Sequence, residues 1–214
     1  MRVLVTRRKV LELGGLAALS AVGLDALSSK AAAGLASRLS CTTGARKTPS
    51  TGRPQPVPSD LYSHPGSPRR RNLREPGFPG VLLTLRGRVY DESCRAVPRA
   101  MLDFFQCDSH GKYDRKEIRF HGHQYTDTDG GYLLQTIVPN HYLGRAPHIH
   151  VRIQSLQGPP LTTQLFFPAA LRAYGMDVAA LNAHDPGFKP ELTVRLSRRV
   201  RNHYSASFDF VIAV

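Results

Sequence analysis

From about residue 81 to the C-terminus, apolar side chains recur with the period of a strand rather than that of a helix. The segment LLTLRGRVY sets Leu83, Leu85, Gly87 and Val89 on one side with other residues between them, the alternation of a half-buried strand. AMLDFFQ, GYLLQTIV, HIHVRIQ, TTQLFF, ELTVRLS and SFDFVIAV follow, some alternating and some nearly continuous in apolar character, as strands read. Turn residues separate them, most clearly DTDGG at Asp127–Gly131. Only Pro168–His184 suggests helix, in one or two short pieces. Seven or more short strands in about 135 residues predict an all-β domain with a β-sandwich-like mixed barrel core and short helices.

The pattern changes before residue 81. Residues 34–80 hold half of the 16 prolines, with Ser, Gly and the run Arg69-Arg70-Arg71, and few apolar residues spaced to make a core. That composition predicts an extended N-terminal arm lying on the domain surface. Ahead of it, MRVLVTRRKVLELGGLAALSAVGLDAL has a positive head with Arg7 and Arg8 paired, then a moderately apolar stretch, then small residues in AAAGLA. This is the layout of a secretory signal over residues 1–33, and the adjacent arginines point to the twin-arginine export machinery as its partner. The apolar run is short for a membrane span and contains Asp25. Export to the periplasm or the extracellular space is the expectation, with residues 81–214 as the folded domain.

Charge changes this picture less than its total suggests. The net charge is +13 over 214 residues, but residues 1–80 carry 13 Lys/Arg against 4 Asp/Glu, and residues 81–214 carry 16 against 12. The folded part is nearly balanced and Trp is absent, so nucleic acid is not an expected partner. The Arg69–Arg71 triplet fits a solvated or subunit-facing patch, which leaves a homo-oligomer open. Of three cysteines, Cys107 sits at a strand end, whereas Cys94 lies in the turn DESCRAVP. In an oxidising compartment a Cys41–Cys94 disulfide is expected, pinning the arm onto the domain.

The candidate chemistry lies in YLGRAPHIHVRI, Tyr142–Ile153. On a strand, His148 and His150 point to the same side and can share one ion. A cupin-type site, or a ferrous site of two histidines and one carboxylate, wants an Asp or Glu that the following VRIQSLQG does not supply. A third reading uses tyrosine: phenolate is a hard anionic donor suited to ferric iron. Tyr142 stands just upstream, and Tyr113 lies in DSHGKYD, a loop after a strand.

At these residues the sequence resembles the intradiol ring-cleaving dioxygenases. The likeness runs through NLRE, LRGRVYDESCRAVPRAMLDFFQCDSHGKYD, YTDTDGGYLLQTIVPNHYLGRAPHIHVRI, LTTQLFFP and FDFVIAV, roughly residues 72–214. It implies a β-sandwich-like fold and a non-haem Fe(3+) cofactor held by Tyr113, Tyr142, His148 and His150. It places the family's active-site arginine on Arg145 and a glutamine behind the ligands on Gln164. The implied reaction opens a catechol-type substrate with O2 to a muconate-type diacid. In it Arg145 would stabilise negative charge developing on the ring. Tyr142 would leave the metal and take up a catechol proton, while Tyr113 would stay bound.

Members commonly carry a TEGPFY-like segment ahead of the core. The stretch here, TPSTGRPQPVPSDLY, keeps Thr48-Pro49 and has Tyr62 further on, without the Glu-Gly-Pro. The ring substituents accepted here are therefore not set by the resemblance. The second His-X-His, His121 and His123 in FHGH, is expected to be exposed. The chain is too short for the helical N-terminal dimerisation region of larger catechol-cleaving enzymes, so it reads as a compact member. The rival readings are an exported transthyretin-like binding module and a member that keeps the fold without turnover.

Overall fold

A computed structural model describes Cys41 and residues 47–51, 66–114, 116–197 and 199–214. The signal-like segment with Arg7 and Arg8, and Tyr62, lie outside the described residues. Among the described residues there are nine strands: β1 (Leu82–Asp91), β2 (Met101–Phe105), β3 (His121–Tyr125), β4 (Gly131–Ile137), β5 (His148–Gln154), β6 (Leu161–Phe166), β7 (Arg195–Leu196), β8 (His203–Ser207) and β9 (Phe210–Ile212). The same residues hold one α-helix, α1 (Val178–His184), and a 3-10 turn at Pro190–Leu192, both ahead of β7. The architecture is all-β, with two sheets.

One sheet has the order β4-β1-β8-β7 with β9 also on β1, and the other has the order β3-β2-β5-β6. β1 needs two partners in turn because the chain bends over Gly87. A Cβ there would lie 1.7 Å from the Phe208 carbonyl oxygen, so only glycine lets residue 208 cross this close. Thus β8 pairs β1 in parallel up to Arg86, and β9 resumes at Val89.

The core between the sheets uses alternate side chains of the apolar strands. Leu83, Leu85 and Val89 of β1 and Leu134 of β4 meet Leu102 and Phe104 of β2, Ile149, Val151 and Ile153 of β5, and Leu165 of β6. All are almost wholly buried, and each such side chain contributes about 1.5–3 kcal/mol by leaving water. The alternate positions of β2, β5 and β6 face away from this core. They include Phe105, His148, His150 and Gln164, which are nonetheless buried. Loops, α1 and a second small cluster of Ala146, Phe166 and Leu192 accompany that outward side.

The N-terminal chain closes both open edges of the sandwich. Pro68 O and Arg70 N bond His123 of edge strand β3, and Arg71 O and Leu73 N bond Gln135 of edge strand β4. Leu73 enters the core with no exposure. On the other side, Thr48 N donates to Val211 O of β9 and its hydroxyl accepts from Val211 N, while Thr51 N and Ser50 Oγ donate to Thr162 O of β6. Covering edges in this way removes templates for intermolecular pairing. Cys41 and Cys94, 53 positions apart in sequence, form a disulfide, as expected. Loop-closure entropy alone assigns such a bridge about 4 kcal/mol.

Candidate metal centre

The second sheet carries a row of side chains in register across all four strands: His121 opposite Phe105, Phe105 opposite His150, and His150 opposite Gln164. His148 lies two residues before His150 on the same side. Phe105 stacks flat on the His150 ring, with centroids 4.2 Å apart and planes at 4°, which fixes that imidazole.

His148 Nδ1 lies 2.7 Å from Ala146 O. A carbonyl oxygen only accepts, so Nδ1 carries the hydrogen and Nε2 presents a bare lone pair. That Nε2 is 3.0 Å from His150 Nε2 and 3.3 Å from Tyr113 Oη, and His150 Nε2 is 3.1 Å from Tyr113 Oη. Donors that share one ion at about 2.1 Å lie about 3.0 Å apart at right angles and about 3.4 Å apart in a tetrahedron. The triangle of two imidazoles and one phenol therefore fits a metal ion. Among the described residues no group of three or more His, Cys, Asp and Glu could hold one; the third atom of this triangle is the phenol oxygen of Tyr113.

Tyr142 stands beside this triangle. Its ring meets that of Tyr113 edge-on at 5.1 Å, and it is half-buried. Tyr142 O accepts from Arg145 N at 2.9 Å, closing a turn whose central residues Leu143 and Gly144 have φ of 47° and 77°. Left-handed backbone costs a leucine about 1–2 kcal/mol, and the turn delivers Tyr142 and Arg145 to the same site. Arg145 donates from Nε to Asp185 Oδ1 at 2.8 Å and from Nη2 to Gln164 Oε1 at 3.1 Å. Gln164 Nε2 is buried without a partner among the described residues, a donor left for something in the site.

Burial pushes the His148 imidazole down to about 4, reinforced by Arg145 and opposed by the bond to Ala146 O. Burial, then His148 and Arg145, hold His150 well below its ordinary value. Both rings are neutral near pH 7, as ligation requires. Folded-state values below the unfolded value near 6.5 mean that the unfolded chain takes up protons first as pH falls. The metal-free protein should keep this stability above about pH 6.5 and lose it progressively down to about pH 4. Urea unfolding at pH 7 and pH 4.5 tests this; an unchanged midpoint would show that these imidazoles are not buried neutral.

The second His-X-His departs from expectation. His121 is buried, and its Nε2 lies 3.1 and 3.2 Å from the two oxygens of Asp103, which also accepts from Ser67 Oγ at 2.7 Å. His123 is half-buried and bonds Ser67 O. The reason is that FHGHQY is a strand, and its pairing with β2 brings His121 into the row of the site. Asp185 is absent from the expected set altogether. It lies just beyond α1, and its signal was local: a carboxylate at a helix C-terminus opposes the macrodipole and so calls for a cation, here Arg145.

Sequence and fold place the chain among the dioxygenases. Over residues 61–213 it matches the family model described as Dioxygenase, and the chain belongs to the intradiol ring-cleavage dioxygenase family. It is 38% identical to the dioxygenase domain of a dioxygenase–carbohydrate-binding protein fusion from a cellulolytic Streptomyces, covering 79% of this chain and 99% of that one with a TM-score of 0.67. The fold is also that of 3-chlorocatechol 1,2-dioxygenase from Rhodococcus opacus, at 23% identity, 86% and 77% coverage and a TM-score of 0.63. Hydroxyquinol 1,2-dioxygenase from Pseudomonas putida shares it too, at 24% identity, 86% and 71% coverage and a TM-score of 0.59. No curated protein matches the sequence.

Proposed function

We propose that this protein opens a catechol-type aromatic diol between its two hydroxyl-bearing carbons, using O2, to give a muconate-type diacid. The observation that carries the proposal is the triangle of His148 Nε2, His150 Nε2 and Tyr113 Oη with sides of 3.0–3.3 Å. Together with Tyr142 these residues would hold a non-haem ferric ion. Such an ion supplies a Lewis acid and template that make the bound diol reactive toward O2. The two neutral imidazoles add no charge, so phenolates offset that of the ion. Tyr142, half-buried on its turn, would accept a diol proton at Oη as substrate enters. Arg145 sets a fixed positive charge against negative charge developing on the ring. Gln164 holds Arg145 through Oε1 and presents Nε2 to the site. Phe105 and the loops keep bulk water from the imidazoles.

Iron-loaded protein given catechol should consume one O2 per ring opened and release a diacid heavier than catechol by both oxygen atoms. Cleavage beside the diol, or no O2 uptake with any catechol, would defeat the proposal.

Export by the twin-arginine route belongs to the same reading. The paired Arg7 and Arg8 ahead of a weakly apolar run support it, as does the Cys41–Cys94 disulfide. Replacing both arginines by lysine should trap the full-length precursor inside the cell. Processed protein appearing outside the cytoplasm at the normal level would count against this route.

A further inference from the structure

Asp185 has no exposed side-chain surface and touches no candidate ligand, yet it receives three hydrogen bonds that converge from the site. Arg145 Nε donates to Oδ1 at 2.8 Å, Gly187 N donates to Oδ1 at 2.7 Å, and Ala146 N donates to Oδ2 at 2.8 Å. The carbonyl of that same Ala146 accepts from His148 Nδ1. One carboxylate therefore grips both the guanidinium and the backbone of the residue whose carbonyl orients the first histidine. Gly187 closes the arrangement from the other side: a Cβ there would stand 2.7 Å from Arg145 Nη2 and 3.3 Å from Asp185 Oδ1.

We propose that Asp185 is the positioning residue of the site, setting the aim of Arg145 and the placement of Ala146 from the loop after α1. The inference rests on the ring-opening reading for its kinetic consequence, although the mechanical claim stands by itself. Charge alone does not need this geometry, since a surface arginine would remain cationic without a partner. What Asp185 adds is direction. With Nε held by Asp185 and Nη2 by Gln164, the guanidinium plane is fixed at two of its edges, and a preorganised cation stabilises developing charge without first having to reorient.

The test is a double-mutant cycle of Asp185→Asn and Arg145→Ala, read in two ways. In the iron-loaded protein, Asp185→Asn should lower kcat for catechol about tenfold or more and change KM little. In an Arg145→Ala background it should have almost no further effect on kcat. In the metal-free protein, the drop in Tm of the double variant should be clearly less than the sum of the two single drops. Additive effects in both measurements would overturn the proposal. Gly187→Ala provides a variant that keeps the carboxylate. It should reproduce the loss of kcat by displacing Arg145, and full activity in it would also count against the proposal. If the wild type cleaves no catechol, the ring-opening reading fails, while the coupling in Tm still decides whether Asp185 holds Arg145.

Discussion

Arg145→Ala should leave iron in place and reduce turnover of a catechol about a hundredfold or more, the usual cost of one preorganised stabilising group in a water-poor site. Arg145 is not a candidate ligand. It contacts Asp185 and Gln164, and its removal takes no donor from the His148, His150 and Tyr113 triangle. The variant will also be less stable. Asp185, without exposed surface, keeps its bonds from Ala146 N and Gly187 N but loses its cation, which costs about 1–3 kcal/mol. Iron content per chain and kcat, measured on the same folded preparation, separate the two effects. Arg145→Lys keeps the charge but not the planar fork, so it should fall between the alanine variant and the wild type. Wild-type turnover in Arg145→Ala would make the residue structural.

How far the sequence spoke for this arrangement depends on the kind of signal. The strands with strong apolar periodicity, β1, β2, β4, β5 and β6, lie where their patterns place them, because one face of each meets the core between the sheets. The polar strands were not legible. FHGHQY carries two histidines and a glycine and reads as a turn, yet it pairs the whole of β2. Its side chains are buried by the arm and the site rather than by the core. HYSAS is held by parallel pairing to β1, and parallel partners far apart in sequence leave no local mark. SFDFVIAV reads as one strand, but its first residues belong to β8 and to the crossing over Gly87, and β9 begins at Phe210.

The candidate site divides in the same way. His148, His150, Tyr142 and Arg145 fall within nine residues, so period-two geometry and one turn suffice to relate them. Tyr113 showed in the sequence only as a tyrosine on a loop after a strand, and its role came from the family resemblance; Gln164 came from the resemblance alone, because strand register brings it opposite His150. Asp185 and Phe105 act on the site through other residues, and neither motif nor spacing announces such a role.

The two tyrosines should differ sharply when each is replaced by phenylalanine. Tyr113 Oη lies within 3.3 Å of both imidazole nitrogens, and its ring is packed between Phe105 and Tyr142. Removing that oxygen opens one corner of the donor triangle, and water must fill it. Tyr113→Phe should therefore lose most of its iron on gel filtration. Tyr142 meets the Tyr113 ring at nearly a right angle, from a strained turn and half-buried, as a ligand able to leave should be. Tyr142→Phe should keep its iron and part of the visible phenolate-to-iron charge-transfer colour, contributed by Tyr113. Its defect should lie in substrate entry. A diol arrives with protons that a departing phenolate can accept, and a phenyl ring cannot. Anaerobic mixing with catechol should then show slower spectral change than in the wild type, with the lag shrinking as pH rises and more of the diol arrives already ionised. An iron-replete but colourless wild type would rule out phenolate ligation, and equal mild effects of the two substitutions would refute the division of roles between Tyr113 and Tyr142.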